Sequence, residues 1–233
     1  MSAIFKREFK AYFITPIGYI VLTAFLFFEG MFFSMLYQMG STDVTLIISS
    51  MSTVVLFVLP FITMKMLSED KRQKVDQILL TAPVSVTSVI LGKFFAALAV
   101  FALAFVPNIL FQIIVSFFAT SNWLKFIYCF IGMMLLGCTM ISIGMFISSL
   151  TESSVIAAVL TIVINIIVMM ITSFASSFGI EWLTTAAKGV SYIDRFGNFT
   201  VTLLNPADIV YFLSITVLFI FLSVRSVEKR RWS

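Results

Sequence analysis

Histidine is absent from the 233 residues, and charged residues make up only 11% of them. Without histidine the chain cannot build a Ser-His-Asp or Cys-His nucleophilic site, and nearly all zinc sites are closed to it. The two cysteines, Cys129 and Cys138, fall nine positions apart in one predicted helix, on opposite faces. They read as small hydrophobes rather than a disulfide. Gly92-Lys93 has neither a glycine five residues earlier nor a following Ser or Thr, so no phosphate-binding P-loop is present. No paired carboxylates occur in the apolar runs, which excludes the acid pair of an aspartyl protease. The opening stretch is amphipathic rather than charged and then apolar, and no small-residue cleavage site follows it, so no signal peptide is expected there.

What is present is apolar. A soluble domain carries about a quarter charged residues; here 61% of the chain is hydrophobic, with 27 Phe and 13 Met. The apolar residues come in runs near the ~20 needed to cross a hydrocarbon core about 30 Å thick. The expected fold class is all-α integral membrane, one transmembrane domain over 1–233. Six transmembrane helices are expected at about 17–39, 46–67, 89–118, 124–150, 154–175 and 207–224. An interfacial helix is expected over 1–15, because Ile4, Phe5, Phe9, Tyr12 and Phe13 share one face opposite Lys6, Arg7 and Lys10. Thr15-Pro16 then breaks that helix. Short extracytoplasmic helices are expected over 176–205, where apolar and polar residues mix, with Asp194 and Arg195 as solvated charges.

Twelve of the 15 basic residues fall on one side of this arrangement: Lys6, Arg7, Lys10, Lys65, Lys71, Arg72, Lys74, Lys93, Arg225, Lys229, Arg230 and Arg231. The positive-inside bias makes that side, and both termini, cytoplasmic. The net charge of +4 reflects this bias, so contact with membrane lipid is expected and nucleic acid is not.

The one long charged interruption is segment 68–85, SEDKRQKVDQILLTAPVS. Ser68 reads as an N-cap, with Glu69 and Asp70 at the positive end of a helix dipole. Val75, Ile78 and Leu79 recur at i, i+3, i+4 and give one apolar face; Thr81 to Pro83 end the helix. Such a cytoplasmic helix can seat in a groove on a soluble domain, or it can be an ordinary solvated connection.

Other candidates lie within the spans. Gly137, Gly144 and Ser148 form a small-residue stripe suited to close helix packing. Thr161 and Asn165 share one side of the fifth span, to bridge helices or to line a path for a polar group. Glu29 is the only acid deep in a span; it is either a functional group or a residue near the outer interface. Pro107-Asn108 predicts a kink in the third span.

At this point the residues resemble a known family. Segment 68–85 is similar to the coupling segment of ABC-2 type transporter permeases, and Leu91 to Phe94 follows as it does there. Block 144–161, GMFISSLTESSVIAAVLT, resembles their junction of fourth and fifth spans. KREFK at 6–10, TPIGY at 15–19 and the tail SVEKRRWS at 226–233 are similar too, and gliding-motility-type permeases of bacteria look nearest. The chain departs from many members at Lys74 and Val75, where they have Gly and Thr.

The resemblance implies an elbow helix over 1–15 and a second permease chain, identical or not. It also implies two cytosolic ABC ATPase subunits that bind ATP and Mg, with no cofactor and no enzymatic site on this chain. A coupling helix over 69–83 would then meet the ATPase through Glu69, Asp70, Lys71, Arg72, Val75, Asp76, Ile78, Leu79 and Pro83, with Glu152 facing it from the next cytoplasmic turn. The function implied is export of a hydrophobic, amphipathic or polymeric substrate across the bacterial cytoplasmic membrane. Two other readings stand beside it: an ATP-independent carrier or channel using Glu29, and an intramembrane enzyme acting on lipid. The missing histidine and acid cluster weigh against the latter.

Overall fold

A computed structural model of the chain describes residues 2–73, 85–178, 181–201 and 205–229, apart from the side chains of Glu181 and Leu183. Helices make up its regular structure, and no strand occurs among the described residues. Among the described residues, six stretches are long and apolar enough to cross a membrane: Pro16–Gln38, Thr45–Arg72, Val86–Phe118, Trp123–Leu150, Ser154–Ser177 and Pro206–Lys229. A segment in lipid must satisfy its backbone groups internally, and a helix does so alone. The all-α, six-span architecture expected from composition is the one observed.

The helices start and stop where local chemistry dictates. α1 is Ser2–Ile14 and α2 is Pro16–Gln38. Between them Thr15 is extended (φ −88°, ψ 150°), and Pro16 opens α2, as suits a residue with no N–H to lose there. A Cβ on Gly18 would lie 2.3 Å from the Tyr12 carbonyl oxygen, so glycine permits this sharp turn. α3 is Thr45–Thr63 and α4 the short Ser68–Arg72. α5, Val86–Ala104, is capped by Ser85, whose hydroxyl accepts from the Ser88 N–H. α6, Val106–Phe118, continues the same span beyond a break at Phe105, the kink expected beside Pro107. Asn122 caps α7, Trp123–Leu150, and Ser153 caps α8, Ser154–Ser177. α9, Glu181–Val190, and α10, Tyr192–Thr200, precede α11, Pro206–Lys229.

α7 is the hub. It packs on α3, α5, α8, α10 and α11, and 67% of its most apolar stretch is buried, against 22% for the first and fifth spans. Lipid supplies no hydrophobic drive for this packing, so close backbone approach must. Cβ atoms on Gly132, Gly137 and Gly144 would lie 2.7 Å from Phe199, 2.1 Å from Phe101 and 2.3 Å from Thr63. The glycine stripe thus serves three neighbours: α10, α5 and α3. Alternation of the spans leaves α1, α4, the turn between α7 and α8, and the end of α11 on one face, here the terminal face. The connections at 39–44 and 119–122, with α9 and α10, lie on the opposite face.

α1 leans on the protein as well as presenting an apolar side. Its Ile4 fills the space above Gly92 of α5, and Tyr12 donates its hydroxyl to the Ile62 carbonyl, 3.1 Å away. That carbonyl lies in the last turn of α3, where intrahelical partners run out.

Candidate functional site

The terminal face is organised around one lysine. Lys93 sits in the first turns of α5 with its side chain only 4% exposed. A buried ammonium requires counter-charge, and two carboxylates supply it. Lys93 Nζ lies 3.0 Å from Glu8 Oε2 of α1 and 2.9 Å from Asp70 Oδ2 of α4. Glu8 also takes a second cation, Arg7 Nη2 at 2.6 Å. Burial pushes the Glu8 carboxyl up, but Lys93 and Arg7 outweigh it and hold the group below its ordinary value. Three elements distant in sequence therefore meet at one buried charge. Beside them lies a groove of about 300 Å³, lined among others by Tyr12, Lys65, Glu69 and Gln73.

A second joint fixes the entry to α4. Ser148 of α7 is fully buried. Its Oγ accepts from the backbone N–H groups of Leu67 (3.1 Å) and Ser68 (3.0 Å) and donates to the Met64 carbonyl (3.0 Å). These are the orphan groups of a helix end and a helix start, served from another span. Ser68 is consequently not the N-cap expected of it: Leu67 holds that position without a side-chain bond, and Ser68 Oγ donates back to the Met64 carbonyl. Ser148 instead serves the amides of the cap residue Leu67 and of Ser68 from outside the helix.

Among the predicted coupling residues, the structure brings Lys71 and Glu152 together at 3.2 Å, which ties α4 to the turn between α7 and α8. Glu69 lies 3.8 Å from both Lys65 and Arg72, which are largely solvated. Exposed pairs of this kind contribute little to stability. Val75, Asp76, Ile78, Leu79 and Pro83 lie outside the described residues, as does Lys74.

Deeper in the bundle, two polar joints cross between helices. Pro60 inside α3 has no N–H, so the carbonyl of Leu56, four residues back, loses its helical partner. Asn165 Nδ2 of α8 donates to that carbonyl at 3.2 Å. Tyr192 of α10 donates in turn to Asn165 Oδ1 at 3.1 Å. Thr161, one turn before Asn165, donates to its own helix at the Ala157 carbonyl. Glu29 is fully buried within the bundle, and Asn108 of α6 donates to it. Asn108 reads from sequence only as part of a kink; no local pattern names its partner across the bundle.

On the opposite face Arg195 is not the solvated charge expected, whereas Asp194 is exposed. Arg195 Nη1 pairs with the buried Asp208 of α11 at 2.8 Å, and its guanidinium lies 4.2 Å from the Tyr211 ring centre. Asn198 Nδ2 donates to the other Asp208 oxygen at 2.8 Å, and Thr172 of α8 donates to Asp194. These contacts clamp α10 between α8 and α11.

The profile of one protein family, the ABC-2 type transporters, matches residues 1–188. The chain belongs to that family. The match runs from α1 through α8 and includes both joints of the terminal face. No curated protein sequence matches the chain. Membership of the ABC-2 type transporters, with six apolar helices, makes this a multi-pass membrane protein and points to the permease component of an ABC transporter rather than an enzyme. Permeases of this family normally work with a cytosolic ATPase partner.

Proposed function

We propose that this chain is the membrane subunit of an ABC exporter in a bacterial cytoplasmic membrane, with both termini and the terminal face in the cytosol. A separate ATPase binds ATP and Mg and drives segment 68–85, and a second permease chain completes the substrate path. The observation that carries this reading is the anchoring of α4. Through Asp70 and Lys93 it is tied to α1 and α5, through Ser148 to α7, and through Glu152 to the turn before α8. A solvated connection would absorb a push within its own backbone. This one hands displacement to several spans at once, because buried ion pairs and satisfied amides resist separation.

The test is co-purification of the chain with its ATPase and measurement of ATP hydrolysis in reconstituted vesicles. Replacing Val75, Ile78 and Leu79 together with Asp is expected to abolish both co-purification and the stimulation of hydrolysis by the permease. Undiminished nucleotide-dependent activity in that variant would sink the coupling role of the segment.

A further inference from the structure

Glu29 and Asn108 form a polar pair between α2 and α6, and both side chains are fully buried. Asn108 Nδ2 donates to Glu29 Oε1. That bond is half of what the two groups can offer each other. Glu29 Oε2 and Asn108 Oδ1 are each shut away from solvent with no hydrogen-bond partner. Two acceptors cannot satisfy one another, and buried polar atoms without partners are rare and costly. A carboxylate leaves Oε2 and Oδ1 both stranded, whereas a carboxylic acid does not. One proton on Oε2 makes it a donor, and Oε2–H to Oδ1 closes a ring with the bond already present.

Among the described residues, nothing beside the pair compensates an anion. α2 packs on α1, α3, α5 and α6. Glu29 is the only charged residue of α2, and α3 and α6 carry none. On α5 the one charged residue is Lys93, held by Glu8 and Asp70 at the terminal face. Lys6, Arg7, Glu8 and Lys10 of α1 lie on that face too. Rings seal the pair along the helices. Phe25 lies 6.0 Å from Phe101 and 5.6 Å from Phe105 on one side, and Phe33 stacks on Phe111 at 4.4 Å on the other. A metal cation would need several oxygen or nitrogen ligands, and no group of three acidic, Cys or His residues suited to one exists among the described residues.

We propose that Glu29 is a proton-binding site, its carboxyl protonated at neutral pH and donating from Oε2 to Asn108 Oδ1. The closed pair latches α2 to the first turn after the break at Phe105. Loss of the proton opens the ring, leaves an uncompensated charge between the aromatic layers and frees the joint between α5 and α6 to bend.

The full chain in phosphatidylcholine vesicles tests this by infrared spectroscopy at neutral pH, with carbodiimide labelling read by mass spectrometry. The expected spectrum has a protonated-carboxyl C=O band that disappears in Glu29→Gln and moves in Asn108→Leu, where the ring partner is gone. A lipophilic carbodiimide, which reacts with protonated carboxyls in apolar surroundings, is expected to label Glu29 of the unaltered chain. That readout stands even if Glu29→Gln fails to fold. Absence of both the band and the adduct overturns the proposal. So does a Glu29 carboxylate signal that follows Na⁺ or K⁺ concentration, or a band unmoved by Asn108→Leu.

Discussion

Replacing Lys93 by Met removes the cation from the terminal face while keeping the apolar stem of the side chain. Lys93 is 4% exposed and its carboxylate partners 17% and 21%, so the two acids left behind are held together with little solvent to screen them. Removing one member of a buried pair costs about 3–5 kcal/mol. The solvent edge kept by Glu8 and Asp70 argues for the lower end, ~3 kcal/mol. For a chain of this length that is a fall in Tm of about 6–12 °C, measurable by thermal unfolding in detergent. Neutralising the whole node, with Lys93→Met, Glu8→Gln and Asp70→Asn together, should return stability to within ~1 kcal/mol of the unaltered chain, because no buried charge is then stranded.

Acid provides an independent axis. Glu8 is held below its ordinary value. Its stabilising contribution is therefore complete above the unfolded carboxyl's value of about 4.3 and is lost as pH falls through the lower, folded value. The unaltered chain should lose this contribution only below about pH 4, and Lys93→Met, with Arg7 alone left on Glu8, should show a weaker acid transition. A single variant that melts like the unaltered chain, or a triple variant that melts as low as the single, would refute the idea that Lys93 organises this face.

Two further outcomes follow from the helix contacts. Asn165→Leu strands the Leu56 carbonyl, while the Tyr192 hydroxyl keeps the backbone carbonyl of residue 165 at 3.3 Å, and should cost about 2 kcal/mol; Pro60→Ala restores an N–H to the Leu56 carbonyl and should recover roughly 1 kcal/mol of it. Additive effects in that double-mutant cycle would disprove the link. Gly137→Ala, whose Cβ would meet Phe101 at 2.1 Å, should destabilise by about 1–3 kcal/mol. Gly30→Ala, with nothing within 4 Å, should stabilise by up to ~1 kcal/mol. Similar melting shifts for the two alanines would contradict the packing.

Much of the architecture is legible because hydropathy and helix caps are local. Asn122, Ser153 and Ser85 each sit before an apolar run and each accepts a helix N–H, so type and spacing suffice. Part of the polar network is legible by the same arithmetic. Pro60 announces that the Leu56 carbonyl needs a donor, since the lost bond is always four residues back. Which donor arrives is not local: Asn165 is 109 positions away. Ser148 shows the limit most clearly. Its spacing from Gly137 and Gly144 marks a packing stripe, yet its hydroxyl holds two amides of another span. Lys93 gave a signal that the charge count passed over, because an ammonium inside an apolar run requires acids from elsewhere. Arg195 misled because solvated and clamped arginines look alike without Asp208 beside them.

Composition and the spacing of the apolar runs determined that this chain lives in lipid as six helices, because so much apolar surface with so little charge, cut into runs of about 20 residues, matches the thickness of a bilayer. Tertiary structure alone decided which polar groups meet. Lys93 with Glu8 and Asp70, Ser148 with the start of α4, and Glu29 with Asn108 are contacts between helices distant in sequence. Each exists because a buried polar atom must find a partner wherever the bundle places one, and that placement has no period in the sequence.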